Sequence, residues 1–231
     1  MPIFGCHTSE VTMKYKAILF DMDGTVLDTL NDLNAAVNAC MEHFGYPTQT
    51  IDETRRYVGN GSRRLLELSV PAGTQSEMID GMLAWYLPYY NAHANDRTSP
   101  YEGIVQLLKS LRMAGCRLAI VSNKPDRTVK ELAEIHFHGL LETAVGENEA
   151  AGIRRKPWPD TLLAAAKELG IPVEQCLYVG DSEVDVLTAS RAGMDCASVL
   201  WGFRSRDEIA AAGGDRFFSS PPELEEYLLK K

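Results

Sequence analysis

The chain is 231 residues long, which at roughly 150 residues per domain leaves room for one large domain or a medium one carrying an insertion, and excludes a multidomain machine. Hydrophobic residues at 45% and charged residues at 24% match ordinary globular composition, so the chain can bury a real core and need not be disordered. The 32 acidic against 23 basic side chains give a formal charge of −9, a field that repels phosphate backbones and anionic headgroups and disfavours nucleic-acid or membrane-surface roles. No uncharged apolar stretch approaches the roughly 18 residues of a spanning helix. The N-terminus has neither a basic start nor an apolar segment of the secretory kind. A cytoplasmic location is expected. The five cysteines, an odd number without a C-x-x-C pair, read as reduced thiols, mostly small core residues.

In chain order, residues 1–12 show no period and read as a dispensable extension or the product of an upstream start, since Met13 stands just before the first strand. Residues 15–20 form a short apolar run ending in Asp21-Met-Asp-Gly24, a buried strand with a polar loop at its carboxyl end. Leu30, Leu33, Val37, Cys40, Met41 and Phe44 then recur at helical spacing until Gly45 and Pro47 stop them, and Thr29 with Asp32 has capping-box spacing. Helical pattern continues at 63–68 and 76–90, broken by Val58-Gly-Asn-Gly61 and Pro71-Ala-Gly73, with no convincing strand before Pro100. An all-helical insertion over 30–96 is expected.

After Pro100, helix and strand alternate. Helices are predicted at 101–113, 127–135, 160–169 and 184–192, and strands at 117–121, 141–145, 176–179 and 197–200. This alternation predicts an α/β fold, a Rossmann-like parallel sheet with helices on both faces, built from residues 1–29 and 97–231.

Ligands of open α/β sheets collect outside the carboxyl ends of the strands. There the sequence places Asp21-x-Asp23-Gly-Thr25, Ser122-Asn-Lys124 and Gly180-Asp-Ser-Glu-Val-Asp185, and a fourth loop carries Arg154-Arg-Lys156-Pro157. Converging carboxylates at that density need a cation among them. The acidic candidates are all oxygen donors, so a hard ion is expected, Mg²⁺ first. Phosphoryl transfer needs such an ion, a nucleophilic carboxylate and a lysine together. Each loop alone also reads as a capped helix start or a solvated lysine; four loops in this order do not.

These motifs resemble the haloacid dehalogenase superfamily of phosphatases, whose pattern is D-x-D-G-T, then Ser/Thr, then Lys, then G-D-x-x-x-D. The matches span Phe20 to Asp185, with Asp21-Met-Asp-Gly-Thr25 and Gly180-Asp-Ser-Glu-Val-Asp185 the most specific. The insertion over 30–96 looks like that superfamily's small helical cap, whose ends near Leu30 and Arg97 would act as hinges. Tyr57-Val-Gly-Asn-Gly61, Arg155-Lys-Pro157 with Pro159-Asp160, and Trp201-Gly-Phe-Arg204 look more narrowly like phosphoglycolate phosphatases and their near relatives.

The resemblance implies Asp21 as nucleophile and Asp23 as the acid that protonates the leaving oxygen and then activates water. It implies Ser122 and the Asn123 amide as phosphoryl ligands, joined by Gly24 and Thr25, and Lys156 as the neutralising cation. Mg²⁺ would sit on the carboxylates of Asp21 and Asp181 and the backbone carbonyl of Asp23, while Asp185 either reaches the metal through water or orients Lys156. Asn60, Gly61, Arg63 and Arg64 are the specificity candidates, an arginine meeting a substrate carboxylate or else lying on a solvated helix face. Trp85, Tyr86, Tyr89 and Tyr90 read as cap packing, the alternative being a ring lining the entrance.

The expected activity is Mg²⁺-dependent hydrolysis of 2-phosphoglycolate or another small phosphomonoester, by a monomer or homodimer. The alternatives are a pyrophosphatase or nucleotidase, a β-phosphoglucomutase-like isomerase, whose first loop usually has Val at the place of Thr25, and a non-catalytic binding protein. Asp23 disfavours carbon–halogen cleavage, which needs no acid there.

Overall fold

The five residues of β1 (Ala17–Asp21) are all buried, as a strand covered on both faces requires. In this computed structural model, which describes residues 14–230, the chain then leaves the sheet through the two-residue strand β2 (Leu27–Asp28). It passes through helices α1 (Leu30–Phe44), α2 (Ile51–Tyr57), α3 (Gly61–Ser69) and α4 (Ser76–His93), and returns at β3 (Ser99–Pro100), which pairs antiparallel with β2. The extension proposed for 1–12, with Cys6 in it, lies outside the described residues.

Beyond β3 the alternation is α5 (Ile104–Met113), β4 (Arg117–Pro125), α6 (Asp126–Phe137), β5 (Thr143–Glu147), α7 (Asp160–Leu169) and β6 (Cys176–Gly180). The chain closes with α8 (Glu183–Ala192), β7 (Asp195–Val199), α9 (Arg206–Ala211), β8 (Phe217–Phe218) and α10 (Pro221–Leu229). Among the described residues the main sheet has six strands in the order β5-β4-β1-β6-β7-β8, all parallel. Central β1 sets the register, with Phe20 opposite Ile120 on one side and Val179 on the other.

Side chains alternate along a strand, and the core splits accordingly. Ile18 and Phe20 pack with Leu107, Leu111, Val129 and Leu224 of α5, α6 and α10. Ala17 and Leu19 pack with Leu162, Leu169 and Ala189 of α7 and α8. Helices therefore cover both faces, as the alternation predicts. Helices α1 to α4 have an apolar cluster of their own, centred on Val37, Met41, Leu66, Met82 and Tyr86. Cys40, Cys116 and Cys176 are buried, in keeping with core packing. No helix of the described residues is long and apolar enough to cross a membrane.

Two local readings are corrected. The capping box expected at Thr29 and Asp32 does not form. Asp32 instead accepts the N–H groups of Arg97 and Thr98, each at 2.9 Å, and the Thr98 hydroxyl at 2.8 Å. A carboxylate this deeply buried needs several donors, and the returning strand supplies three where a helix end would supply fewer. A capping box does form at Thr50 and Glu53, opening α2, a helix absent from the sequence reading.

Candidate active site

The carboxyl ends of β1, β4 and β6 meet at one crevice beneath the helical layer. Asp21 ends β1, and its Oδ1 accepts from Lys156 Nζ at 2.7 Å. The same ammonium donates to Asp185 Oδ1 at 2.7 Å and to the Tyr178 hydroxyl at 3.0 Å. The other Asp185 oxygen receives the N–H groups of Asp181 and Ser182 and the Ser182 hydroxyl, at 3.2, 3.1 and 2.6 Å. Both of its oxygens are thus occupied by the protein. Of the two readings open for Asp185, the geometry favours orientation of Lys156.

Asp21, Asp181 and Asp185 each present one oxygen within 4.8 Å of the others. Burial, with Lys156 opposing and the neighbouring carboxylates adding to it, raises Asp21 well above the ordinary carboxylate value. Asp181, pushed up by burial and then by Asp185, titrates at about 7. Asp185 moves the other way, because Lys156 and its hydrogen bonds outweigh burial. One lysine leaves the group net negative, and the donor set is entirely oxygen, so the residues fit a hard divalent cation.

Glycines make room for this crowd. A Cβ on Gly24 or on Gly202 would land inside the contact distance of Asp181 Oδ2, and one on Gly180 would strike the Asp185 carboxyl. Gly24 also needs its positive φ of 79°. The Gly202→Ala variant should therefore displace Asp181 and weaken divalent-cation binding by about 10- to 100-fold, read by calorimetric titration. Unchanged affinity would show that Asp181 has slack.

Gly24 and Thr25, expected at the phosphate, are engaged within the protein. The Gly24 N–H is donated to the Leu27 carbonyl at 3.0 Å, because the turn closes on itself. The Thr25 hydroxyl donates to Asp181 Oδ1 at 3.2 Å. Both residues hold the acidic floor in place. The Asn123 side chain pairs with the Lys156 backbone, accepting at 2.6 Å and donating at 3.1 Å, and donates to the Gly59 carbonyl at 2.8 Å. The side chain thereby holds the Lys156 backbone and touches the helical layer.

Asp23 accepts from the Thr29 hydroxyl and, at 3.4 Å, from Ser122. Its Oδ1 lies 2.7 Å from Lys124 Nζ. Lys124 is a buried crevice residue that the sequence reading assigned no role. The available signal was spacing: two residues after Ser122 in an extended segment, it shares that residue's face.

Arg204 was also unassigned. Buried in the loop after β7, it donates to the Arg55 and Val58 carbonyls at the end of α2, at 2.8 and 2.6 Å, and to Glu183 at 3.2 Å. The last carbonyls of a helix lack internal partners, so a guanidinium suits them. The adjacent Phe203 N–H donates to Asp181 Oδ2 at 2.7 Å.

Of the cap candidates, Gly61 lines the crevice, which encloses about 50 Å³. Asn60, Arg63 and Arg64 do not. Arg63 is paired with Asp80, and Arg64 with Glu67 at 3.1 Å, acidic neighbours in the same helical layer that draw both arginines outward. Tyr90 lines the crevice and also belongs to the buried apolar cluster of α1 to α4.

The family described as haloacid dehalogenase-like hydrolase matches residues 18–199. A phosphoglycolate phosphatase from Xanthomonas campestris pv. campestris is 34% identical over 211 residues, covering 90% of this chain and 94% of its own. Phosphoglycolate phosphatase 1 of Pseudomonas aeruginosa is 34% identical over 201 residues, 84% of this chain and 73% of its own. A crystal structure from Lactobacillus delbrueckii subsp. bulgaricus, provisionally named a phosphoglycolate phosphatase, aligns with a TM-score of 0.87 at 37% identity. That alignment covers 95% of this chain and all of the other.

Proposed function

Because the chain belongs to the haloacid dehalogenase-like hydrolase family, we propose that it is a phosphatase hydrolysing a small phosphomonoester, 2-phosphoglycolate first, through an aspartyl-phosphate on Asp21. The observation that carries this reading is the buried Lys156 holding Asp21 and Asp185 together at 2.7 Å with Asp181 in reach.

Asp21, fixed by Lys156, attacks phosphorus in line with the leaving oxygen. Asp23, two residues on and facing the same crevice, delivers a proton to that oxygen and afterwards takes one from the attacking water. Ser122 holds a phosphoryl oxygen, and Lys156 offsets the charge that gathers on the transferring group. Asp21, Asp181 and the backbone of Asp23 would hold Mg²⁺, which when bound supplies further charge neutralisation at the phosphate.

We read 30–96 as a cap over a core formed by 1–29 and 97–231. The separate apolar cluster of α1 to α4 supports this division, as does the paired exit and return of the chain through β2 and β3. Arg204 and Asn123 then span the two parts. A closed cap excludes water from the first step, as an acyl-phosphate intermediate needs. The crevice admits only a few water-sized groups, which suits a two-carbon leaving group better than a nucleoside or a hexose. We place the protein in the cytoplasm, in keeping with the burial of Cys40, Cys116 and Cys176.

Phosphate release should be measured on 2-phosphoglycolate, pyrophosphate, nucleotides and hexose phosphates, with Mg²⁺ or with chelator. Turnover is expected to be highest on 2-phosphoglycolate and lost in chelator. Release from none of them, or release that survives chelation, overturns the reading.

Mg²⁺ should also raise Tm, and more at pH 8 than at pH 5.5. The folded value of Asp181, about 7, lies above its ordinary 3.8, so between these values the metal-free folded protein binds more protons than the unfolded chain. Its stability therefore falls as pH rises through that window, and a cation that replaces the proton restores it. A Tm shift independent of pH would count against Asp181 as a ligand.

A further inference from the structure

The phosphoryl chemistry leaves Lys124 unemployed. Lys124 is 6% exposed, and its ammonium lies 2.7 Å from Asp23 Oδ1 and stands 5.0 Å from the centre of the Tyr90 ring. An ammonium has three donors; one carboxylate oxygen and one ring face satisfy only part of them, and a buried charge incompletely paired is destabilising. Tyr90 comes from α4, on the opposite side of the crevice, and is 2% exposed. Its hydroxyl has no hydrogen-bond partner, and neither has that of Tyr86, stacked on it at 5.6 Å. A buried hydroxyl left without a partner costs about 1–3 kcal/mol. Tyr90 and Lys124 line the same small crevice.

We propose that Lys124 and Tyr90 together seat a carboxylate carried on the carbon next to the phosphate ester, and that they, and not Arg63 or Arg64, select the substrate. The inference rests on the phosphatase reading above, because that reading places the ester oxygen at Asp23. A carboxylate one carbon beyond that oxygen falls beside Asp23, where the Lys124 ammonium stands. Leu33, Val58 and Leu65 line part of the wall, beside Ser62 and Arg204, and apolar neighbours strengthen a charge pair once it forms.

The phenol is a dependable donor: burial, followed by the charge of Asp23, holds Tyr90 well above its usual value. The substrate class is thus short phosphorylated 2-hydroxy acids. A neutral alcohol phosphate would leave the ammonium and the phenol facing nothing, and a site built around polar partners rejects analogues that lack them.

The test compares 2-phosphoglycolate with ethyl phosphate, which keeps the ester and replaces the carboxylate by methyl, in the wild type, Lys124→Met and Tyr90→Phe. The readout is the ratio of kcat/KM for the two substrates. Lys124→Met should lower that ratio by about 100-fold and Tyr90→Phe by about 10-fold. Tyr90→Phe removes only an unpartnered hydroxyl, so it keeps the fold, and circular dichroism of both variants checks this. Equal loss on both substrates would mean that Lys124 serves only to position Asp23, and would overturn the proposal.

A second arm needs no turnover. In an Asp21→Asn background, Lys124→Met should weaken calorimetric binding of 2-phosphoglycolate by about 100-fold and that of inorganic phosphate by far less. Equal weakening of both, or none, overturns it. If the wild type released phosphate from neither ester, the phosphatase reading alone would fail, and this second arm would still decide whether Lys124 seats a carboxylate.

Discussion

Replacing Asp21 by Asn is expected to lower phosphate release by roughly 10⁴- to 10⁶-fold, the scale on which removal of a catalytic nucleophile acts, while leaving the fold intact. The amide matches the carboxylate in size, so the end of β1 need not move. It takes one negative charge from a buried group that holds three carboxylates against one lysine. Burial already raises Asp21 well above its ordinary value, so its ionisation in the metal-free protein costs stability, and that cost grows as pH rises. The variant should therefore match or exceed the wild-type Tm without metal, with a margin that widens from pH 5 to pH 8. Residual turnover within tenfold of wild type would remove Asp21 from the mechanism; a large drop in Tm would mean that its charge holds the fold.

Lys156→Met has the opposite signature, with activity and stability lost together. The lysine is buried and bonded to Asp21, Asp185 and Tyr178, and removing one partner of a buried ionic group typically costs about 3–5 kcal/mol. For a chain of this size that lowers Tm by roughly 10 °C. With the lysine gone, the carboxylates are relieved only by protons, so the deficit should shrink toward pH 4 and grow toward pH 8. Turnover should fall by about 10³-fold or more. Adding Asp21→Asn to this variant should recover part of the lost stability, because the two side chains are coupled. Calorimetric melting of the four proteins across pH measures this directly, and a Lys156→Met protein as stable as wild type would refute the buried-pair account.

The α/β core was legible in the sequence because periodicity and abrupt polar ends are local signals. The run ending at Asp21, the helix stopped at Gly45 and the strand before Asp181 needed no knowledge of neighbours. What escaped was set by contacts distant in the chain. Asp32 was read as a helix cap because Thr29 stood at the right spacing, and only the returning chain shows that Thr98 is its partner. Helix α2 is only about two turns long and carries little apolar period, so its box at Thr50 and Glu53 was the signal available. Beyond residue 200, α9 and β8 are too short for pattern alone, and α10 has only Leu224 and Leu228 as a buried pair at helical spacing. Within the site, carboxylates and lysines were found through their motifs. Lys124 and Arg204 were not, because their partners lie across the crevice or in the next layer.

The hollows at Gly24, Gly180 and Gly202 carry a consequence for descent. Three backbone positions far apart in the chain stay bare because two carboxylates occupy the space their side chains would fill. A lineage released from its chemistry loses the pressure to keep those hollows empty before it must lose the acids themselves. Alanine or serine at Gly180 or Gly202, with Asp181 and Asp185 still present, would be the earliest mark of a retired enzyme among this chain's relatives.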